Sequence, residues 1–100
     1  MFKIIPDPTF DATLTLIGQG KEQKLNVTFR HKTKSEYQAM FEAKDDDELA
    51  ANVVSIIEKW DADAPVSVES VKSLLEHQLG AGWAILHGYG EALMVARKGN

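Results

Sequence analysis

The chain has 100 residues, the size of a single domain that folds without disulfide bonds or metal ions. Its composition, 44% hydrophobic and 26% charged with three prolines, is typical of a globular protein rather than a disordered one. Because there is no cysteine, a disulfide framework, a thiol nucleophile and a cysteine-ligated metal site are excluded. We predict one domain, with a hairpin part over residues 1–32 and a helical part over residues 33–100.

The formal net charge of −4 is distributed unevenly along the chain. Residues 1–34 carry six basic and three acidic side chains, whereas residues 35–100 carry five basic and twelve acidic ones. This asymmetry predicts a positively charged hairpin beside an acidic helical part.

The beginning of the chain indicates where the protein resides. The run MFKIIPDPTFD reaches Pro6 and Pro8 before an apolar stretch attains the length of a signal peptide. The longest mostly apolar stretches, residues 53–57 and 83–86, are far shorter than the ~20 residues that span a bilayer. We therefore expect no signal-peptide export, no membrane association and a cytoplasmic location.

Two runs of alternating hydrophobicity predict an antiparallel β-hairpin over about residues 10–17 and 23–31. Gly18 and Gly20 can adopt positive φ at the reversal, in a loop of several residues that can extend to Glu22. Two strands alone are marginally stable in water, so other parts of the chain must cover their apolar face. The positions on that face are Phe10, Ala12, Leu14, Leu16, Leu25, Val27 and Phe29.

Three to four helices are predicted to provide the cover, which makes the fold class α+β. Their approximate ranges are 34–43, 46–60, 67–79 and 82–97. Thr33 with Glu36 predicts a capping box, the acidic run 45–48 predicts the second helix start, and Ser67 predicts the third. Pro65 disfavours a helical residue before it and separates the second helix from the third.

The spacing of apolar residues predicts which side of each helix is buried. The predicted stripe of the second helix is Leu49, Val53, Ile56, Ile57 and Trp60, and that of the third is Val71, Leu74, Leu75 and Leu79. Gly88 and Gly90 each cost about 1 kcal/mol relative to alanine inside the last helix. Either close backbone contacts offset that cost, or the helix is mobile there.

No pattern in the sequence predicts a catalytic or metal site. The three histidines are not at the i, i+4 spacing that places two on one helical face. The acidic groups at 45–47 and 61–63 lack the glycine and glutamate of a calcium loop, and helix capping explains them. Neither a dinucleotide-binding glycine motif nor a nucleophile elbow is present. We expect no enzymatic activity, no metal and no cofactor.

Basic side chains on the hairpin leave a nucleic-acid-binding module open as an alternative, because they can neutralise phosphates. They are Lys21, Lys24, Arg30, Lys32 and Lys34. The patch is small, and an acidic chain with a pI near 5.3 repels a polyanion. We therefore favour a solvated strand face whose lysines discourage edge-to-edge aggregation.

Four segments follow one another in an order that covers nearly the whole chain. They are Pro6-Asp7-Pro8-Thr9-Phe10, Phe29-Arg30-His31-Lys32-Thr33, the passage Trp60-Asp61-x-Asp63-x-Pro65-x-Ser67-x-Glu69 before Leu74-Leu75, and the ending Ala84-Ile85 … Tyr89 … Ala92-Leu93 … Ala96-Arg97 … Asn100. In this combination the chain resembles the small tail assembly chaperones of long-tailed bacteriophages and prophages. It departs from them at Gly80, Gly82, Gly88 and Gly90, where better helix formers are expected.

The resemblance implies a non-catalytic protein of the host bacterial cytoplasm. Such a protein binds the long, aggregation-prone tape measure protein, keeps it soluble and helps to deliver tail tube subunits around it. The resemblance also implies self-association and, for some members, a longer frameshifted product. A structural subunit of the finished tail remains a further alternative, because both roles need adhesive surfaces.

Nine side chains are predicted as candidate protein contacts, although for each of the aromatic ones and for Leu93 a core role is favoured over a contact role. They are Lys24, Arg30, Lys32, Tyr37, Phe41, Trp60, Trp83, Tyr89 and Leu93. Exposed hairpin edges can accept a strand, and amphipathic helices can present a groove to a client helix. The charge asymmetry further predicts a salt-sensitive self-association in which the basic hairpin meets an acidic helical surface.

Overall fold

The two alternating N-terminal runs form an antiparallel hairpin, as predicted. In a computed structural model, which describes residues 1–99, β1 spans Thr9–Gly18 and β2 spans Lys21–Arg30. The loop is shorter than predicted, since only Gln19 and Gly20 separate the strands, with φ of 52° and 74°. Positive φ at both positions gives the twist that a two-residue hairpin turn requires.

A third strand joins the sheet from within a segment that was predicted to be helical. The helix α2 spans Asp46–Ser55, and β3, Ile57–Trp60, pairs antiparallel with β2. The sheet order is β1-β2-β3. The prediction of one helix over residues 46–60 was therefore wrong beyond Ser55.

The free edge of β2 explains this difference. The backbone N–H of Arg30 donates to the Ile56 carbonyl at 2.8 Å, and Ile57 lies opposite Phe29 in the ladder. The spacing of Ile57 and Trp60 fits a helix, but β-branched residues beside an unpaired strand are stabilised more by sheet pairing. A bulge follows, because the register shifts between Thr28 and Phe29.

The predicted helix starts are confirmed by their caps. Thr33 Oγ1 accepts from the Glu36 N–H at 3.2 Å, and the Glu36 carboxylate accepts from the Thr33 N–H at 2.9 Å. The resulting capping box opens α1, Lys34–Ala39, which continues as a 3₁₀ turn over Met40–Glu42. The Asp45 side chain accepts from the Glu48 N–H at the start of α2, and the Ser67 side chain accepts from the Ser70 N–H at the start of the next helix.

The last two helices also end earlier than predicted. Ser67 precedes α3, which spans Val68–His77, and α4 spans Ala81–Leu93 rather than reaching residue 97. Met94 and Val95 are 74% and 82% exposed, so no core surface stabilises a further turn after Leu93.

The helices cover one face of the sheet and enclose the hydrophobic core. The largest fully buried side chains are Phe29, Val53, Ile56, Ile57, Val71, Ile85, Leu86 and Tyr89. The rings of Phe29 and Tyr89 meet edge to face with centroids 4.9 Å apart. This contact joins β2 to α4 and fixes the last helix on the sheet.

The glycines of α4 are sites of close packing. A Cβ on Gly88 would lie 2.8 Å from a Leu14 methyl, and one on Gly90 would overlap the Tyr37 hydroxyl. These contacts offset the weak helix propensity of glycine. Of the two explanations considered above for Gly88 and Gly90, close backbone contact is the one that the structure supports.

Tyr89→Phe is expected to lower the free energy of unfolding by about 1–2 kcal/mol, measured by urea denaturation. The Tyr89 hydroxyl donates to the Arg30 carbonyl at 2.7 Å, and phenylalanine leaves that acceptor without this donor. Burial also raises the pKa of Tyr89 from 10.0 to about 12.

Because the pKa of Tyr89 is raised, the difference in the free energy of unfolding between wild type and Tyr89→Phe depends on pH. The unfolded chain releases the Tyr89 proton near pH 10, whereas the folded chain holds it to about pH 12, so wild-type stability falls across that interval. Tyr89→Phe lacks this component, so the difference between the two proteins should shrink as the pH rises. Stability curves that remain parallel across the interval would contradict the burial of this hydroxyl.

Candidate protein-binding groove

The outer half of the hairpin extends beyond the three-stranded part of the sheet. Because β3 pairs only with residues 27–29 of β2, residues 21–25 have no third strand beside them. The apolar face of this overhang is directed toward α3 and the first turns of α4. A cavity of about 980 Å³, which we call the hairpin groove, lies between them.

The lining of the hairpin groove includes a group of apolar side chains, which we call its floor, beside polar ones such as Gln23, Ser73 and Gln78. The main side chains of the floor are Leu16, Leu25, Trp60, Leu74, Ala84 and Ile85. Ile85 is buried and Ala84 is exposed, while the other four are half-buried. These four side chains therefore belong to the edge of the core and still offer apolar area to a binding partner.

Hydrogen bonds hold one wall of the groove in place. The Trp60 indole N–H donates to the Ala64 carbonyl at 2.7 Å, which closes the turn after β3. The Asp61 carboxylate accepts from the Asn26 side-chain amide at 2.7 Å and from the Asn26 backbone N–H at 2.9 Å. These bonds hold the pKa of Asp61 below its usual value, so it is ionised at neutral pH.

The rim of the groove carries more acidic than basic side chains. Asp63 and Glu69 lie on it together with His77. Asp61 and Lys24 also line the groove, but their charged groups are bonded to Asn26 and Thr15 on the outer face of the sheet. Within residues 1–99, neither Asp63 nor Glu69 takes part in an ion pair. A partner with a positive charge next to apolar side chains therefore complements the groove.

Leu79 lies at the groove but was predicted to belong to the buried stripe of the third helix. That helix ends at His77, Gln78 is extended with φ −120° and ψ 91°, and Gly80 has φ 84°. This change of direction turns Leu79 out of the stripe, where it is 102% exposed. Gly80 is the signal in the sequence, since a left-handed glycine commonly follows the last helical turn.

Two of the nine predicted contact residues, Lys24 and Trp60, line the groove. The Lys24 ammonium donates to Thr15 Oγ1 at 3.4 Å on the outer face of the sheet. The structure places the other seven away from the groove. They are Arg30, Lys32, Tyr37, Phe41, Trp83, Tyr89 and Leu93.

Among these seven, Arg30 is held by an ion pair and Tyr89 lies in the core. Arg30 forms an ion pair with Glu58 at 3.1 Å, and both side chains remain partly exposed. Tyr89 is fully buried, so its ring offers no surface to a partner in this structure. Lys32 and Leu93 are half-buried.

Three aromatic side chains form a second exposed surface, which we call the aromatic ridge. The rings of Phe41 and Trp83 are stacked at 5.9 Å, and the His87 ring lies 5.3 Å from Phe41. Tyr37 supports Phe41 from the side, edge to face at 5.0 Å. Trp83 is 36% exposed, so the ridge keeps part of its aromatic area accessible.

Among residues 1–99, no three acidic or histidine side chains are grouped closely enough to hold a metal ion. Over those residues, no helix combines the length and the apolar character that crossing a membrane requires.

The whole chain, residues 1–100, matches the model of a protein family described as phage tail assembly chaperone. The chain belongs to this family. The resemblance found in its sequence segments is thereby confirmed. No curated protein and no solved structure matches the chain.

In this phage tail assembly chaperone, the third segment of the resemblance coincides with the hairpin groove. Trp60, Asp61, Asp63 and Glu69 form its wall and rim, and Leu74 lies on its floor. The pair Ala84 and Ile85, from the fourth segment, completes the floor. Residues that carried the resemblance therefore contribute to the groove, together with hairpin residues that did not.

Proposed function

We propose that this chain binds the tape measure protein through the hairpin groove, keeps it soluble and assists the assembly of the tail tube around it. It acts in the host bacterial cytoplasm by protein contacts alone, without catalysis or a cofactor. The observation that carries the proposal is the open groove of about 980 Å³ with an apolar floor in a member of the phage tail assembly chaperone family.

The chemistry of the floor suits a chaperone. Burial of apolar area is non-directional, so half-buried leucines and a tryptophan can hold many different apolar client segments. The backbone edges of the overhanging hairpin add a second means of holding an extended client, because an unpaired strand edge accepts another strand. A client that exposes apolar segments before assembly is thereby shielded from aggregation.

Ala84→Glu is expected to abolish client solubilisation, because it places a charge on the groove floor. Ala92→Glu is the matched control, since both alanines are exposed on α4 but only Ala84 lines the groove. The chain is co-expressed with the tape measure protein encoded beside it, and the soluble fraction of that client is measured after ultracentrifugation. The control should match the wild type, and thermal unfolding of both variants checks that they remain folded.

The proposal is overturned if the wild-type chain changes the solubility of neither the tape measure protein nor the tail tube protein. It is also overturned if Ala92→Glu and Ala84→Glu lower client solubility equally while both remain folded. Recovery of the chain from purified phage particles instead favours the alternative role of a structural tail subunit.

The outer face of the sheet is where the nucleic-acid alternative would operate. Acidic side chains alternate with the basic ones there, because Asp11 lies on β1, Glu58 pairs with Arg30 and Asp61 follows β3. This mixed charge is less favourable for phosphate binding than a uniformly basic face. A mobility shift at low salt tests it directly.

A further inference from the structure

Residues 1–5 form an apolar arm that finds little cover within its own chain. Phe2, Ile4 and Ile5 are 79%, 91% and 80% exposed. The ammonium of Lys3 forms an ion pair with Asp7 inside the same segment. Several large apolar side chains exposed in sequence are characteristic of a segment that is covered by another surface.

We propose that this arm docks in the hairpin groove of a second copy of the chain. The inference goes beyond the proposed function and does not depend on it. The apolar side chains of the arm match the apolar floor of the groove, where Leu16, Leu25 and Trp60 are half-buried. The contact would remove both sets of side chains from water.

Charge complementarity supports the same pairing. The arm carries Lys3 among its apolar side chains, while Asp63 and Glu69 lie on the groove rim. The ion pair between Lys3 and Asp7 lies on the surface, where such pairs contribute little to stability. Lys3 can therefore exchange Asp7 for an acidic side chain of the groove rim. A basic apolar segment therefore faces an apolar floor with acidic edges.

The arm is too short to reach the outer part of the groove in its own chain. The backbone N–H of His31 donates to the Pro8 carbonyl at 2.8 Å, which fixes the chain at the base of the hairpin. The groove extends to Gly18 at the other end of β1, about 30 Å away along the strand. Fully extended, Ile5 lies within about 11 Å of Pro8 and Phe2 within about 21 Å.

The direction of the chain points to the same conclusion. The strand β1 carries the chain from the base of the hairpin toward its tip, so residues before it are directed away from the groove. Pro6 and Pro8 restrict the backbone of the arm. For the outer part of the groove, a second copy is therefore the occupant that the reach of the arm allows, and two copies can exchange arms reciprocally.

Analytical ultracentrifugation of point variants tests this contact. The double variant Ile4→Asp/Ile5→Asp changes only the arm, and Leu79→Asp changes only the groove, where Leu79 is 102% exposed. Each should raise the dissociation constant of self-association about 100-fold or more. The matched control, Met94→Asp/Val95→Asp, alters two similarly exposed residues near the other end of the chain and should behave as wild type.

Mixing the variants distinguishes arm-to-groove docking from other contacts. The arm variant retains its groove and the groove variant retains its arm, so an equimolar mixture should form a complex although neither protein associates with itself. Thermal unfolding of each variant, compared with wild type, confirms that the folds are intact.

Three outcomes overturn the inference: a wild-type chain that stays monomeric, a mixture that forms no complex, or a control variant that dissociates in place of the arm variant. A monomeric wild type that still solubilises its client would overturn arm docking while leaving the proposed function intact. Conversely, arm docking with no effect on any tail protein would leave this inference standing alone.

Discussion

Replacing Phe29 with alanine is expected to lower the free energy of unfolding by about 3–5 kcal/mol. Phe29 is fully buried, and it lies opposite Phe10 on one side and Ile57 on the other. Its ring contacts Tyr89 at 4.9 Å and Phe10 at 5.7 Å, so truncation empties the centre of the core. Since a domain of this kind is stable by about 5–15 kcal/mol, the variant loses a large share of its stability.

Urea denaturation followed by circular dichroism measures this loss. Thr28→Ala is the matched control, because the neighbouring residue on the same strand is directed to the outer face. Its hydroxyl donates to the Asp11 carboxylate at 2.7 Å in a partly exposed position, so its loss should cost about 1 kcal/mol or less. Equal losses in the two variants would contradict the central position of Phe29.

The elements predicted correctly are those whose signals are local. The hairpin follows from period-2 alternation and the glycines at its turn, and α1 begins where Thr33 and Glu36 form a capping box. The strand Ile57–Trp60 is different, because its apolar spacing fits a helix equally well. This segment forms a strand because it pairs with the free edge of β2. That edge is distant in sequence, so a local pattern of apolar residues does not predict the pairing.

The candidate site could be predicted only in part. Trp60 and Lys24, two of the predicted contact residues, line the groove, but the groove itself depends on the hairpin extending past β3. That geometry follows from the unequal strand lengths, which the local pattern did not reveal. Tyr89, another predicted contact residue, is fully buried. An aromatic residue on an amphipathic helix can lie in the core or contact a partner, and only the tertiary packing determines which.

The two proposals use the same groove and therefore have a shared consequence. An arm from a second copy and a client segment cannot occupy the same floor residues at once. If both contacts form, self-association would protect the apolar floor when no client is present, and a client that binds more tightly would displace the arm by mass action. The arm would act as a reversible cover for an adhesive surface rather than as a permanent joint.

Gly90→Ala is expected to destabilise the protein by about 1–3 kcal/mol, although alanine favours a helix over glycine by about 1 kcal/mol. A Cβ on Gly90 would overlap the Tyr37 hydroxyl and lie 2.6 Å from Cζ of the same ring. The ring has little room to move, because it packs against Phe41 at 5.0 Å and Tyr89 at 5.9 Å. The overlap therefore outweighs the gain in helix propensity.

A double-mutant cycle with Tyr37→Ala tests this explanation through a change of sign. Once the Tyr37 ring is removed, the added methyl group meets no obstruction from it, and only helix propensity remains. Gly90→Ala should then stabilise the Tyr37→Ala protein by about 1 kcal/mol, measured by urea denaturation of all four proteins. If Gly90→Ala destabilises both backgrounds equally, the close approach of α4 to Tyr37 is not the reason for glycine at this position.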